Sequence, residues 1–496
     1  MPEAPQTPLS QPAVHTGLWI GGQWLHDGIE HISVTNPASG EEIAGTTLAG
    51  PENFRAAIDG AQRSFETWRN EPNASRGSIL RRAAALMVER RQELGNLLTR
   101  EQGKPLAQAV AEVEYAASFF QWFGEASRRL YGRLQPHPQA GREYLVQRVP
   151  AGVAGLVTPW NFPLAQGAKK IAAALAAGCT AVWKPSEFTP LVALALGPLL
   201  KESGLPDGVL QILPARGPIA GEAFSADARV RVLSLTGSTA TGRTLMQAAS
   251  RHLQRLSLEL GGNAPFIVLP DADLDQAAAD LVKLKLLVSG QVCVTANRVL
   301  VPTSIEGAFT EKLVSLWKGV RVGNGLASGV DAGPLIHRKA CERVKGMVDD
   351  ALRSGAEVVS ENRSHEGDPS LSKGSFYAPV ILRGARDEMQ MAREEIFGPV
   401  LPLYSYDDLA AAVRRANATP YGLAAYVYGR DISKANAVAN ALEAGIVGVN
   451  EWRPLRAEIP FGGVKSSGLG SEGGEEGIDE FCEIKVIGTA SPRMRG

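Results

Sequence analysis

VAGLVTPWNFPLAQGAKKIAAALAAGCTAVWK, residues Val153 to Lys184, holds the repeat from which the rest of the chain can be read. A short apolar run, Val153–Thr158, ends in the turn Pro159-Trp160-Asn161-Phe162-Pro163. A helical stretch, Leu164–Ala177, stops at Gly178, and a second apolar run, Thr180–Lys184, follows. Strand, turn, helix and strand in this order make a βαβ unit, with parallel strands and a right-handed crossover. The alternation continues through helix Leu191–Ser203, strand Val209–Leu213, helix Ile219–Ser225, strand Val230–Leu235, helix Thr241–His252 and strand Arg255–Glu259. Ligands of such sheets bind beyond the carboxyl ends of the strands, so this is a dinucleotide-type domain.

Those carboxyl ends are rich in candidates. Thr158, Pro159 and Trp160 close the first strand, and Lys184, Ser186 and Glu187 the second. Gly217 and Gly221 follow the third, and Thr236-Gly237-Ser238 the fourth. Small residues let a ligand approach the backbone, and helix starts offer free N–H groups to an anion. Lys184 and Glu187 are placed to hold ribose hydroxyls. A carboxylate at Glu187 repels a 2′-phosphate, so NAD is expected over NADP, with Lys184 pulling the other way. Any one of these is an ordinary turn; four on one sheet edge point to a nucleotide. The one literal GxGxxG, at Gly468, Gly470 and Gly473, follows no strand and opens no clear helix, and is read as a loop.

A second α/β set begins after Ala264, with strand Phe266–Leu269, helix Leu274–Val288 and strand Arg298–Val301 at its head. Between that helix and strand lies Val288-Ser289-Gly290-Gln291-Val292-Cys293-Val294-Thr295-Ala296-Asn297. Leu258-Glu259-Leu260-Gly261-Gly262-Asn263 closes the first set. A lone cysteine is more often a buried structural residue. A thiol and a carboxylate, each beside a glycine turn at the junction of two sets, form a candidate nucleophile and general base.

The flanks read differently. Leu18 to Ile43 alternates as an antiparallel ribbon, and a helical zone runs from Pro51 to about Leu130. Glu143–Val149 and Phe481–Ile487 are strand-like and stand apart, needing a neighbour such as a partner subunit to cover their edges. With 496 residues the chain divides into two or three domains. Its net charge of −1 gives no support for a nucleic-acid partner. Four scattered cysteines make neither a disulfide framework nor a metal motif, and the default setting is the reducing cytoplasm. Met1–Thr16 lacks the marks of a signal peptide and reads as a disordered tail. The longest apolar run, Ile171–Trp183, falls short of the about 20 residues a bilayer requires, so no membrane role is expected.

Trp160-Asn161-Phe162-Pro163, Thr236-Gly237-Ser238, Leu258-Glu259-Leu260-Gly261-Gly262, Gly290-Gln291-Val292-Cys293, Glu395-Ile396-Phe397-Gly398-Pro399 and Pro460-Phe461-Gly462-Gly463 together resemble the aldehyde dehydrogenase superfamily. The motifs stand in that family's order, and the resemblance spans about Leu18 to Gly488. Glu259–Phe266 and Cys293–Arg298 look most like its succinate-semialdehyde dehydrogenase branch. The resemblance implies an α/β subunit in three parts. These are a Rossmann-type NAD(P) domain (1–130 and 150–261), an α/β catalytic domain (262–478) and a small β oligomerisation ribbon (131–149 and 479–496), in a homodimer or homotetramer.

It also implies oxidation of an aldehyde to a carboxylic acid through a thiohemiacetal and thioester on Cys293. Asn161 and the Cys293 backbone N–H would hold the oxyanion, Glu259 would activate water, and Glu395, with Leu260 and Phe397 in the same motifs, would face the cofactor. The branch is expected to grip its substrate's far carboxylate with two arginines; here those positions hold Lys169 and Leu287. Arg453 and Arg456, before Phe461, are the replacement anchors expected for a short aldehyde with a carboxylate or sulfonate tail. Other readings stay open: a dehydrogenase of uncharged aldehydes, a CoA-acylating enzyme, a cysteine hydrolase, or a non-catalytic protein on this fold. Val288 stands where the family usually has Asn, Leu235 where Phe is common and Ala215 where Gly often stands. Thr295 replaces a second cysteine, so no redox switch is expected.

Overall fold

The protein is described here from a computed structural model covering residues 14–490. Of the tail expected over Met1–Thr16, residues 1–13 lie outside the described residues, as do 491–496 of the expected ribbon. Val14 packs against the first core and His15 stacks on Trp24 at 5.2 Å.

Eight strands form the first sheet, in the order Gly468–Leu469, Arg255–Glu259, Val230–Thr236, Val153–Val157, Thr180–Lys184, Leu210–Ile212, Leu18–Ile20, Gln23–Leu25. The middle five are parallel, and the outer strands are antiparallel. Strand order reverses between Val153–Val157 and Val230–Thr236, so the turns after Val157 and Thr236 flank the crevice where such sheets take ligands. Leu469, inside the GxGxxG loop, pairs with Leu258 and extends this sheet.

Helix Pro163–Ala177 is buried along its whole length. Its sequence is apolar on all sides except Gln166, Lys169 and Lys170, which suits a helix covered by sheet and helices alike. Gly167 lets the helix lie on Trp183, whose ring a side chain there would strike. Gly178, at φ +94°, ends the helix in the left-handed conformation. The helix expected at Leu191–Ser203 is two, Pro190–Leu194 and Leu196–Glu202. Pro198 lacks the N–H that would bond the Leu194 carbonyl, so the ladder breaks there.

The second sheet has seven strands, in the order Glu357–Glu361, Val380–Arg383, Val400–Tyr406, Ala296–Pro302, Ala264–Val268, Ala424–Tyr428, Ile446–Val449. All are parallel except the outermost, Glu357–Glu361. Arg142–Pro150 pairs antiparallel with Cys482–Ala490 on one side and Arg133–Pro136 on the other, joining the two orphan stretches in one ribbon.

Candidate active site

Asn161 lies in the turn between strand Val153–Val157 and helix Pro163–Ala177, 3% exposed. Its side-chain Nδ2 donates to the Gln291 carbonyl at 2.9 Å, while its Oδ1 has no partner. One N–H of that amide is thus spent on the cysteine loop and the other remains to donate. The turn itself is anchored on the sheet: Thr158 N–H donates to Lys184 O at 3.1 Å, and Trp183 Nε1 to Thr158 Oγ1 at 2.9 Å.

The cysteine loop departs from the expected helix. That helix ends at Leu286, and Val288, Ser289 and Gly290 turn left-handed at φ +49°, +54° and +76°. Left-handed backbone costs about 1–2 kcal/mol per non-glycine residue and is worst for a β-branched one. Surrounding bonds compensate: Val288 N–H donates to Gln108 Oε1 at 2.9 Å, Ser289 Oγ to Gly333 O at 2.8 Å and Gln291 Nε2 to Val288 O at 3.0 Å. A Cβ at Gly290 would collide with the Gly398 carbonyl, and one at Gly262 with the Cys293 carbonyl. The two glycine turns of the sequence are therefore in direct contact. Tyr426 Oη fixes the far side of the loop, donating to Val294 O at 2.8 Å.

Glu259 ends its strand 2% exposed, and neither carboxylate oxygen has a hydrogen-bond partner. Burial, reinforced by the nearby Glu472 charge, raises its pKa well above the usual carboxylate range, against the pull of Lys169 and Lys170. Burial also pushes the Cys293 thiol up to about 12; Glu395 and Glu259 add to the shift and Lys169 opposes it. Lys169 is buried beside Glu472 at 3.7 Å, with its ammonium 3.8 Å from the Phe461 ring centre. Burial disfavours its charge, but Tyr115, Glu472, Glu259 and Cys293 outweigh that and raise its pKa. Lys170 pairs with Glu472 and donates to Ser234 Oγ at 2.9 Å.

The carboxyl edge of the first sheet carries the remaining candidates. Lys184 is buried and 3.3 Å from Glu187, which also faces Arg216 at 3.6 Å. Burial lowers the Lys184 pKa, and Glu187 resists that shift. Ser186 is buried at the same turn. Side chains on Gly217 and Gly221 would meet no atom within 4 Å, so the backbone there opens on free space. Gly237 bonds back to Glu259 O at 2.9 Å, and the Ser238 side chain caps helix Thr239–Ala249. Leu260 N–H donates to Ser467 O at 2.8 Å.

Trp160 meets Phe397 edge-on at 5.5 Å. Glu395 keeps one buried oxygen, Oε1, unpartnered, and burial pushes its pKa up to about 8 against the Gly262 N–H, Arg343 and Lys285. Open glycines at a helix start, a buried carboxylate awaiting a donor and a lysine–glutamate pair together fit the phosphates and ribose hydroxyls of a dinucleotide.

A cavity of about 690 Å³ opens on the Cys293 side. Its lining includes the buried Lys169, Phe461 and Tyr426 beside the half-buried Cys293, and its exposed rim holds Lys283, Asp331 and Arg453. Leu287, Trp452 and Leu455 line the wall. Arg456, exposed and outside the residues that line the cavity, turns its Nη1 to the carbonyls of Arg453 and Leu455 at 3.3 and 2.8 Å. Lys283, Trp452, Leu455 and Glu472 were missed in the sequence. Lys283 follows Ala279 and Val282 in a helical period that reads as a plain amphipathic face.

A sheet edge with groups suited to a nucleotide and a cavity lined by a thiol are the two parts an oxidoreductase of this kind requires. The chain belongs to the aldehyde dehydrogenase family, whose sequence profile matches residues 24–487. It is 44% identical over 469 residues to the NADP(+) succinate-semialdehyde dehydrogenase of Escherichia coli (strain K12), covering 94% of this chain and 96% of that protein. It is 41% identical over 479 residues to the 3-sulfolactaldehyde dehydrogenase of Pseudomonas putida, covering 97% of each. Its fold is similar to betaine aldehyde dehydrogenase from Staphylococcus aureus in complex with NAD+, at a TM-score of 0.93 and 32% identity, over 97% of this chain and 96% of that one. The protein is an aldehyde dehydrogenase of α/β architecture.

Proposed function

We propose that the protein oxidises a short aldehyde with an anionic tail to its carboxylic acid, using NAD+, or NADP+ at lower efficiency. Cys293, Glu259 and Asn161 carry the chemistry. The observation behind this reading is the close approach of Gly262 to the Cys293 carbonyl, which brings the carboxylate turn against the thiol loop.

With its pKa pushed up to about 12, Cys293 rests as a thiol, so its proton must pass to solvent as the aldehyde binds. Glu259, buried with both oxygens unpartnered and its own pKa raised, is a stronger base than an exposed carboxylate and serves the later hydrolysis. The Cys293 sulfur then attacks the carbonyl carbon. The free N–H of the Asn161 amide and the Cys293 backbone N–H stabilise the charge that develops on oxygen. Glu395 would hold a nicotinamide cofactor through its ribose and the turns at Gly217, Gly237 and Glu187 would hold the rest, and the cofactor would supply the hydride acceptor. Glu259 then deprotonates the water that hydrolyses the Cys293 thioester, so no CoA is needed.

Arg453 supports the anionic tail. It sits exposed on the cavity rim and makes no ion pair among the described residues, whereas Lys169 is already engaged by Glu472 and Phe461. Relatives named for succinate semialdehyde and 3-sulfolactaldehyde act on aldehydes carrying a carboxylate or a sulfonate. The kcat/KM ratio of succinic semialdehyde to butanal, read by NADH formation without CoA, should exceed one. Arg453→Ala should lower it about two- to fivefold, the weight of an exposed ion pair at about 0.4–1 kcal/mol. A butanal preference in the unaltered enzyme removes the anionic-tail reading.

For the whole subunit we propose residues 1–130 and 150–261 as the nucleotide unit, 262–478 as the catalytic unit and 131–149 with 479–496 as the oligomerisation ribbon. The assembly is a homodimer or homotetramer working in the cytoplasm. Among the described residues no helix is long and apolar enough to cross a membrane.

A further inference from the structure

One buried ion pair of this chain has no place in the steps above. Lys104 and Glu112 are paired with both side chains fully buried. Lys104 lies in the turn between helices Arg91–Gln102 and Leu106–Ala126, and Glu112 two turns into the second. A buried ion pair rarely stabilises a fold relative to apolar residues of the same volume, because desolvation of both charges offsets their attraction.

Every donor and acceptor of the pair converges on the turn that carries Asn161. The Lys104 ammonium donates to the Asn161 main-chain carbonyl at 2.7 Å. It lies 4.2 Å from the centre of the Phe162 ring. Glu112 turns Oε2 to the lysine and accepts on Oε1 from the N–H groups of Leu164 and Ala165 at 3.0 and 3.2 Å. Those are the orphan donors of the first turn of helix Pro163–Ala177, where a carboxylate also meets the positive end of the helix dipole.

The pair therefore grips the turn on both sides of Asn161: at its own carbonyl, at the next ring and at the helix that follows. The lysine turn is itself held, since Leu106 N–H donates to Gly325 O at 2.9 Å and a side chain on Gly333 would strike the Gly103 carbonyl. The free end of Asn161 is aimed by Gln291, in the cysteine loop. Main chain and side chain of Asn161 are thus fixed by different elements.

We propose that Lys104 and Glu112 are positioning residues for the oxyanion donor Asn161, holding its peptide so that its amide meets the developing charge on the aldehyde oxygen. This rests on the oxyanion role assigned to Asn161 above. A group that only aligns Asn161 loses its effect once the Asn161 amide is gone, whereas a group that only supports the fold does not.

The experiment is a double-mutant cycle on the full chain with succinic semialdehyde and NAD+. Lys104→Met strands a buried carboxylate and risks misfolding, so the principal variant is Lys104→Met with Glu112→Gln, which leaves no net charge and keeps an acceptor for the helix. That double variant should lower kcat about 10²-fold, as loss of one oxyanion donor does, with the aldehyde KM changed far less. Made on top of Asn161→Ala, it should lower kcat by no more than about twofold further. An equal fold-loss in both backgrounds overturns the proposal and leaves the pair a support of the fold. If Asn161→Ala alone retains the original kcat, the oxyanion role itself falls, and the positioning proposal with it. Thermal midpoints of all four proteins show whether each is folded at the assay temperature, and Lys104→Arg run through the same cycle decides the matter if the principal variant is not.

Discussion

Cys293 rests in its unreactive form, and that has a measurable consequence. A thiol with its pKa pushed up to about 12 is almost wholly protonated at neutral pH. In the enzyme without substrate or cofactor, alkylation of Cys293 by iodoacetamide should accelerate about tenfold per pH unit from pH 6 to pH 9, without a plateau. A plateau near pH 7 would show a stable resting thiolate. Turnover follows a second group. Glu259 acts as base only when ionised, and its pKa is raised by burial and Glu472, so kcat should climb with pH on a limb above the ordinary carboxylate range. Glu259→Gln should erase that limb. The closeness of these two residues could be anticipated from the sequence because glycine turns flank both. The side-chain direction of Arg456 could not, because sequence distance along a loop does not say where either of its two arginines points. Lys104 and Glu112 passed unnoticed for a related reason: their partners are a distant carbonyl and two distant N–H groups, and main-chain atoms leave no mark in a sequence.

Among elements, the cysteine loop shows how closely the two sets of strands must fit. The Gly262 backbone lies so near the Cys293 carbonyl that a methyl group cannot be inserted without moving one of them. Gly262→Ala should cut kcat by about tenfold or more, since displacement of the reacting sulfur by 1 Å carries losses up to about 10²-fold. The overall fold should persist, with the far-ultraviolet dichroism unchanged. Full activity in that variant would show that the contact does not set the sulfur's position. The parallel strands were readable because buried strands are near-continuous apolar runs bounded by glycine and proline. The edge strand Glu357–Glu361, half exposed with acids at both ends, carries no such run and was not expected. Helix Leu274–Leu286 was expected to continue to Val288, since nothing in a valine announces left-handed backbone. Tertiary bonds to Gln108 and Gly333 impose that turn.

At the scale of the whole molecule, the proposed subunit contact rests on the exposed ribbon. Leu134, Ile484 and Val486 project from it at 64%, 63% and 58% exposure, large apolar side chains that a partner subunit would cover. Replacement of Ile484 and Val486 by Lys should shift the protein from dimer or tetramer to a smaller species in light scattering coupled to size exclusion. An unchanged mass would place the subunit contact elsewhere. The two-sided plan of the molecule was legible because its strand–helix alternation stops and restarts at Gly261-Gly262. The ribbon was legible only as two unpaired stretches, whose pairing with each other spans most of the chain.

The central claim is that Cys293 forms the bond to the aldehyde and Glu259 releases the product, and rapid mixing separates the two acts. Enzyme is mixed with succinic semialdehyde and excess NAD+, and NADH is followed through the first turnover and beyond. Glu259→Gln should give a burst approaching one NADH per subunit, then a steady rate about 10²–10⁴-fold below that of the unaltered enzyme. Cys293→Ala should give neither burst nor steady rate. A Glu259→Gln enzyme that turns over at the original rate, or a Cys293→Ala enzyme that still yields NADH, would contradict the account.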